Sequence, residues 1–84
     1  PFGSLVELGI IKPGTTIFDN KKKISAKIMA DGSIKHAQTE GSIHKVAATI
    51  LGAESCNGWT YWHYNLDGTV VPIDHLRQKL ISKD

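Results

Sequence analysis

Ser42, His44, Lys45, Asn57 and Arg77 are the side chains whose types and positions could do recognition chemistry. A hydroxyl, an imidazole, an ammonium, a primary amide and a guanidinium are the groups that reach phosphates and base edges. Arg77 stands out as the one arginine in a chain with nine lysines. Its flat fork can bind an acceptor pair bidentately, which lysine cannot do. It can equally be held by Asp74, one turn earlier. Enzyme chemistry is harder to assemble. The four histidines, His36, His44, His63 and His75, match no metal-ligand spacing and have no Cys–Cys pair beside them. Cys56 is a conceivable nucleophile, but no third, orienting partner is visible in the sequence. Glu40, Glu54 and Asp67 form no paired-carboxylate pattern, and no glycine-rich phosphate loop is present. These residues describe a recognition surface, not an active site.

The elements that must carry that surface lie mostly between Gly41 and Trp62. Ser42 is a natural N-cap, because its hydroxyl can accept a backbone N–H one turn later. Ile43, Val46, Ala47, Ile50 and Leu51 then recur as one helical stripe, and Gly52 follows where a helix turns left-handed and stops. Lys45 occupies the third helical position, where a capping box would place Glu or Gln. A cation there opposes the helix dipole by up to about 1 kcal/mol. Either an anion sits at the helix start, or Lys45 curls back into water. Asn57-Gly58 reads as a turn, and Trp59 to Tyr64 as an aromatic strand. On a strand, Trp59 and Trp62 face opposite sides, so one is core and the other covers an edge or stands at the binding surface.

The rest of the chain reads as a small frame around this segment. Residues 1–11 suggest a short helix, with Ser4 and Glu7 at capping-box spacing and Gly9 at its end. Residues 15–19 read as a strand. Residues 24–30 alternate, with Ile24, Ala26, Ile28 and Ala30 on one side. Asp31-Gly32 signals a hairpin into residues 33–37, with Ile34 inward. Residues 38–41 read as a polar connector. After the aromatic strand come a turn at 65–68, a short strand at 69–71, and Pro72 at a sheet edge. Asp74 then caps a last helix with Ile73, Leu76, Leu80 and Ile81 as its stripe, and Lys79 and Lys83 in its later part. The expectation is one α+β domain: a small, mainly antiparallel sheet of about five strands with three helices.

At 84 residues and 40% hydrophobic content the chain can bury one core. A single cysteine excludes an intrachain disulfide and fits a reducing compartment. No membrane span or signal peptide is legible. The chain opens on Pro1, with Met29 its only methionine, which reads as a piece of a longer protein. The net charge of +2 does not demand nucleic acid. Lys21, Lys22 and Lys23 form the one dense basic run, either a solvated turn or a phosphate contact.

GSIH at residues 41–44, CNGWTYWH at 56–63 and PIDHLR at 72–77 resemble the RAMA domain (restriction enzyme adenine methylase associated), as do FGSLVELGIIKPG at 2–14 and ADGS at 30–33. The resemblance covers essentially the whole chain and is nearest to the C-terminal domain of cell-cycle-regulated adenine DNA methyltransferases that modify GANTC. It implies a parent enzyme that transfers a methyl group from S-adenosylmethionine to adenine N6. In that family the Asp-Pro-Pro-Tyr motif and the cofactor loop lie in a preceding domain. Neither occurs here, so no cofactor or catalytic residue is expected in these residues. The family's DNA-binding positions fall on Ser42, Asn57, Trp59 and Arg77. The implied partners are DNA, as duplex or locally separated strands, the catalytic domain of the same chain, and a second copy. The implied setting is the bacterial cytoplasm and nucleoid, with no membrane. Two other readings stand beside this one: a free-standing DNA or methyl-DNA reader, and a dimerisation module that touches no DNA.

Overall fold

The computed structural model describes residues 2–78. Six strands form one antiparallel sheet: β1 (Thr16–Phe18), β2 (Ser25–Ile28), β3 (Ile34–His36), β4 (Thr39–Gly41), β5 (His63–Leu66) and β6 (Thr69–Pro72). Their spatial order is β4-β3-β2-β1-β5-β6. Three helical segments, α1 (Phe2–Glu7), α2 (Ile43–Leu51) and α3 (Gly58–Tyr61), and a final 3-10 turn (Ile73–Leu76) complete the α+β domain.

The pleat decides where the core sits. Ile17 on β1, Ala26 and Ile28 on β2, and Ile34 on β3 are buried, while Thr16, Ser25, Lys27 and Lys35 are exposed. Successive strand side chains alternate between faces, so over β1–β3 the buried set defines one covered face and leaves the other open, whereas on β5 both His63 and Tyr64 are buried and neither face is open. Against the covered side pack Ile43, Val46 and Ala47 of α2, Leu5 of α1, both tryptophans, and Ile73 and Leu76. The stripe read along α2 is therefore the helix's buried face, except at Leu51, which is 55% exposed.

Several expected elements changed. Residues 39–41 are a strand, not a connector. Lys35 pairs with Glu40 and His36 with Thr39, across a tight link in which Ala37 is left-handed at φ 53°. This short polar edge strand lacks the apolar alternation that advertises a strand, which is how proteins blunt an edge. The β2–β3 hairpin is longer than Asp31-Gly32 implies, because Ile28 already pairs with Ile34. Ala30 lies in that loop and is exposed. The helix α1 begins at Phe2, so Ser4 is inside it and caps nothing. Asp74 likewise lies within the first turn of the 3-10 segment, whose N-cap is Pro72. Leu80, Ile81, Lys79 and Lys83 lie outside the described residues.

The largest change is in the aromatic segment. Residues 58–61 are a helical turn, and only from His63 does the chain become β5. On that turn Trp59 and Trp62 can point into one core, and both are buried, at 8% and 0% exposure. Helical spacing of three brings two side chains to the same side, whereas a strand would have sent one outward. Burial of two indoles outweighs the β-propensity of the local sequence.

Other expectations hold. Asp67 and Gly68, at φ 51° and 91°, form the two-residue turn between β5 and β6. That double left-handed turn matches the twist of the strands it joins. Pro72 ends β6, the outer strand of the sheet.

Candidate functional site

The helix α2 starts as its sequence directs. Ser42 is extended, and its Oγ accepts from the Lys45 backbone N–H at 3.0 Å. At the other end Gly52 is left-handed at φ 68°. No acidic residue lies in the first turn of α2, so His44 and Lys45 stand at the positive end of the helix without local compensation.

Three contacts, two from Gly58 and one from Trp62, fasten α3 and its flanks to this helix start. The Gly58 N–H donates to His44 Nδ1 at 2.9 Å. The Trp62 indole Nε1–H donates to the Ile43 carbonyl at 2.9 Å, in the buried core. Gly58 also packs so closely that a Cβ there would lie 2.6 Å from the Ile43 carbonyl carbon. Asn57-Gly58 reads in the sequence as a turn, but neither residue has a positive φ: Asn57 is the cap and Gly58 the first residue of α3. Its glycine is needed for this close approach, which only the fold reveals.

Asn57 caps α3, its Oδ1 accepting from the Trp59 N–H at 3.0 Å. Arg77 lies over the Trp59 ring, with Cζ 4.6 Å from the centroid, and its Nε meets Asp74 Oδ1 at 2.9 Å. The two readings of Arg77 are thus not exclusive. The salt bridge fixes one edge of the guanidinium, the indole supports its face, and about half of the side chain remains exposed. Phe2 meets Trp59 edge-on at 5.9 Å. The sequence carried no signal for Phe2 here beyond its apolarity.

Ser42, His44 and Lys45 at the α2 start and Asn57, Trp59 and Arg77 around α3 are therefore brought into one region, linked through the His44–Gly58 hydrogen bond. Trp59 lies beneath it as a support. Neither tryptophan stands exposed, so the dimerisation reading keeps the low net charge of +2 but gains no support from an exposed tryptophan. Two concavities flank the α2 start. An apolar slot of about 220 Å³ is lined by Phe2, Gly32, Ile43, His44 and Trp59 among others. An open groove of about 380 Å³ runs beside Ser42, Lys45, Thr49, Glu54 and Cys56. Among the described residues no group of three or more metal-ligating side chains is brought together. No described helix is long and apolar enough to cross a membrane.

The arrangement has a consistent polarity. His44 Nδ1 accepts from the protein, so in the neutral ring the proton sits on Nε2. The acceptors of Ser42 and Asn57 take backbone N–H groups, leaving the hydroxyl proton and the amide NH₂ to donate elsewhere. Arg77 keeps its remaining N–H groups and Lys45 its ammonium. The region has several donors left over, and its shortest contacts use acceptors within the protein.

A family profile described as RAMA, Restriction Enzyme Adenine Methylase Associated, matches residues 1–84. Among curated proteins the chain is similar to "Type II methyltransferase M.HinfI" of Haemophilus influenzae, with 30% identity over 83 residues. That match takes in 99% of this chain and 23% of the relative, so the chain spans about a quarter of the relative's length.

Proposed function

Because the chain belongs to the RAMA family, the domains associated with adenine methylases, we propose that it holds DNA for an adenine-N6 DNA methyltransferase. The observation that carries this reading is the cluster of N–H and O–H donors left on Ser42, His44, Lys45, Asn57 and Arg77 once their internal contacts are made. Phosphate and sugar oxygens are acceptors, and such contacts set affinity and register on a duplex. Ser42 and Asn57 donate to the backbone, Lys45 and the α2 start neutralise a phosphate, and Arg77 makes a charged contact to a phosphate or a base edge. Trp59 positions Arg77. Methylating an adenine requires the base to leave the stack at a cost of a few kcal/mol. Contacts to the flanking backbone help to offset that cost.

The methyl donor of the parent enzyme is S-adenosylmethionine, and we assign it to the catalytic part. The groove of about 380 Å³ beside the α2 start has Glu54 in its lining but no aromatic side chain to stack on an adenine and no glycine.

The test is binding of this chain to a GANTC duplex and to a scrambled duplex across a salt series, alongside folded Ser42→Ala, Asn57→Ala and Arg77→Ala. The expected result is binding whose logarithm falls linearly with log salt, by about 0.9 per phosphate contact. Loss confined to GANTC on changing Arg77 makes it a base reader, and equal loss on both makes it a backbone anchor. Failure of the folded chain to bind either duplex at low salt overturns the reading.

A further inference from the structure

The open face of the sheet breaks two local rules, and both breaks place lysines on it. Lys27 on β2 and Lys35 on β3 are direct cross-strand partners and both are exposed. Like charges in that position repel, and the usual cross-strand pairing is of opposite charge. Lys22, in the β1–β2 turn, adopts the left-handed φ of 60° that favours Gly or Asn. Its Nζ is held 5.2 Å from the centroid of the Phe18 ring. Phe18 shares its side of β1 with Thr16, since Ile17 between them is buried, so Lys22 lies on the same open face.

The acids nearby are only partly available to these lysines. Asp19 turns its Oδ1 to the backbone N–H groups of Lys23 and Ile24, at 2.7 and 2.9 Å. Glu40 lies across from Lys35 and lies 3.4 Å from the Ser33 hydroxyl that donates to it. Among the described residues the one ion pair is Arg77–Asp74, on the helical side.

We propose that this open face is a second DNA-binding surface, in which Lys22, Lys27 and Lys35 bind the phosphate backbone of a stretch of DNA other than the one at the α2 start. The inference rests on the DNA-binding reading above and extends it to the opposite side of the sheet. Charge complementarity selects the occupant. A duplex presents one negative charge per about 1.7 Å of axis, so it meets several lysines at once and relieves the Lys27–Lys35 repulsion. Because the sheet separates the two surfaces, the DNA either bends around the domain or is met as two segments.

The experiment compares the wild-type chain with Lys22→Gln/Lys27→Gln/Lys35→Gln, the same triple change to Arg, and Ser42→Ala/Asn57→Ala/Arg77→Ala. Affinity for duplex DNA is measured over a salt series and stability by urea denaturation. The Gln variant is expected to be at least as stable as wild type. It should bind more weakly, equally on GANTC and scrambled duplexes, with a salt slope shallower by about 0.9 per lost contact. The Arg variant should keep the wild-type slope. An unchanged affinity and slope in the Gln variant overturns this inference alone. Undiminished binding by the Ser42/Asn57/Arg77 variant, lost on the Gln changes, overturns the α2 reading and leaves this one standing. No binding by wild type overturns both. Preference for anionic phospholipid vesicles that duplex DNA fails to displace makes the face a membrane surface and also overturns the inference.

Discussion

The two sides of the sheet present positive charge in different ways. On the helical side four of the polar groups are fixed by a neighbour, Ser42 by the Lys45 N–H, Asn57 by the Trp59 N–H, His44 by the Gly58 N–H, and Arg77 by Asp74 and the Trp59 ring, while the Lys45 ammonium extends on its own stem. On the open side Lys27 and Lys35 extend from strands on flexible stems, and only Lys22 has a ring to lean on. Groups fixed by packing lose little entropy on binding and can impose register, whereas free ammonium groups supply attraction that salt screens. On the proposed reading, the same charge would give position on one side and affinity on the other. Variants should sort accordingly.

The largest expected effect is at the support of the helical side. Trp59→Ala removes a buried indole from Phe2 and from Arg77, and should cost about 3–5 kcal/mol of stability. If urea denaturation shows less than about 1 kcal/mol, Trp59 is not the anchor assigned to it here. Gly58→Ala comes next, because its Cβ meets the backbone and side chain of Ile43. Overpacking of that kind costs about 1–3 kcal/mol, and here it should also part Asn57 from the α2 start. A crystal structure of the variant with the His44–Gly58 hydrogen bond unchanged would break the comparison. Arg77→Lys is smaller and cleaner. It keeps the charge but loses the flat fork over Trp59, so DNA affinity should fall several-fold, about 1 kcal/mol, with stability nearly unchanged. An equal change at Lys27→Arg should do nothing.

How much of this was legible beforehand differed between the same regions. The α2 helix was readable because cap, stripe and stop all agree locally at Ser42, Val46 and Gly52. The β1 and β2 strands and the Asp67-Gly68 turn were readable for the same reason. Residues 58–61 were not, because Trp, Thr and Tyr favour strands and only the shared burial of Trp59 and Trp62 makes the turn helical. Strand β4 was missed because an edge strand needs no apolar face. Five of the site residues could be named from their chemistry. Trp59, by contrast, needed the family resemblance, and its place under Arg77 needed the fold. The lysine pairing across β2 and β3 depends on register, which the sequence does not state.

The smallest expected effect is an acid-sensitive loosening that should touch the open side through its one rigid part. The Asp19 carboxyl is held below its ordinary value of 3.8, chiefly by the hydrogen bond from the Ile24 N–H, with Lys23 and Lys21 N–H groups adding to it. A carboxyl whose folded value is depressed contributes stability that is full above its unfolded value and is lost as pH falls through the folded one. The turn carrying Lys21, Lys22 and Lys23 should therefore stay ordered above pH 3.8 and loosen below it. The Ser33 bonds hold Asp31 low in the same direction, so the β2–β3 loop should respond alongside. The caps at Ser42 and Asn57 contain no carboxyl and should not respond. Amide exchange can read this, as lost protection at Lys23 and Ile24 below pH 3.8 with Lys45 and Trp59 unchanged. In Asp19→Asn the loss at Lys23 and Ile24 should no longer depend on pH. Simultaneous loss at all four amides would mean that the two sides unfold as one unit, and that the difference between them lies in chemistry and not in stability.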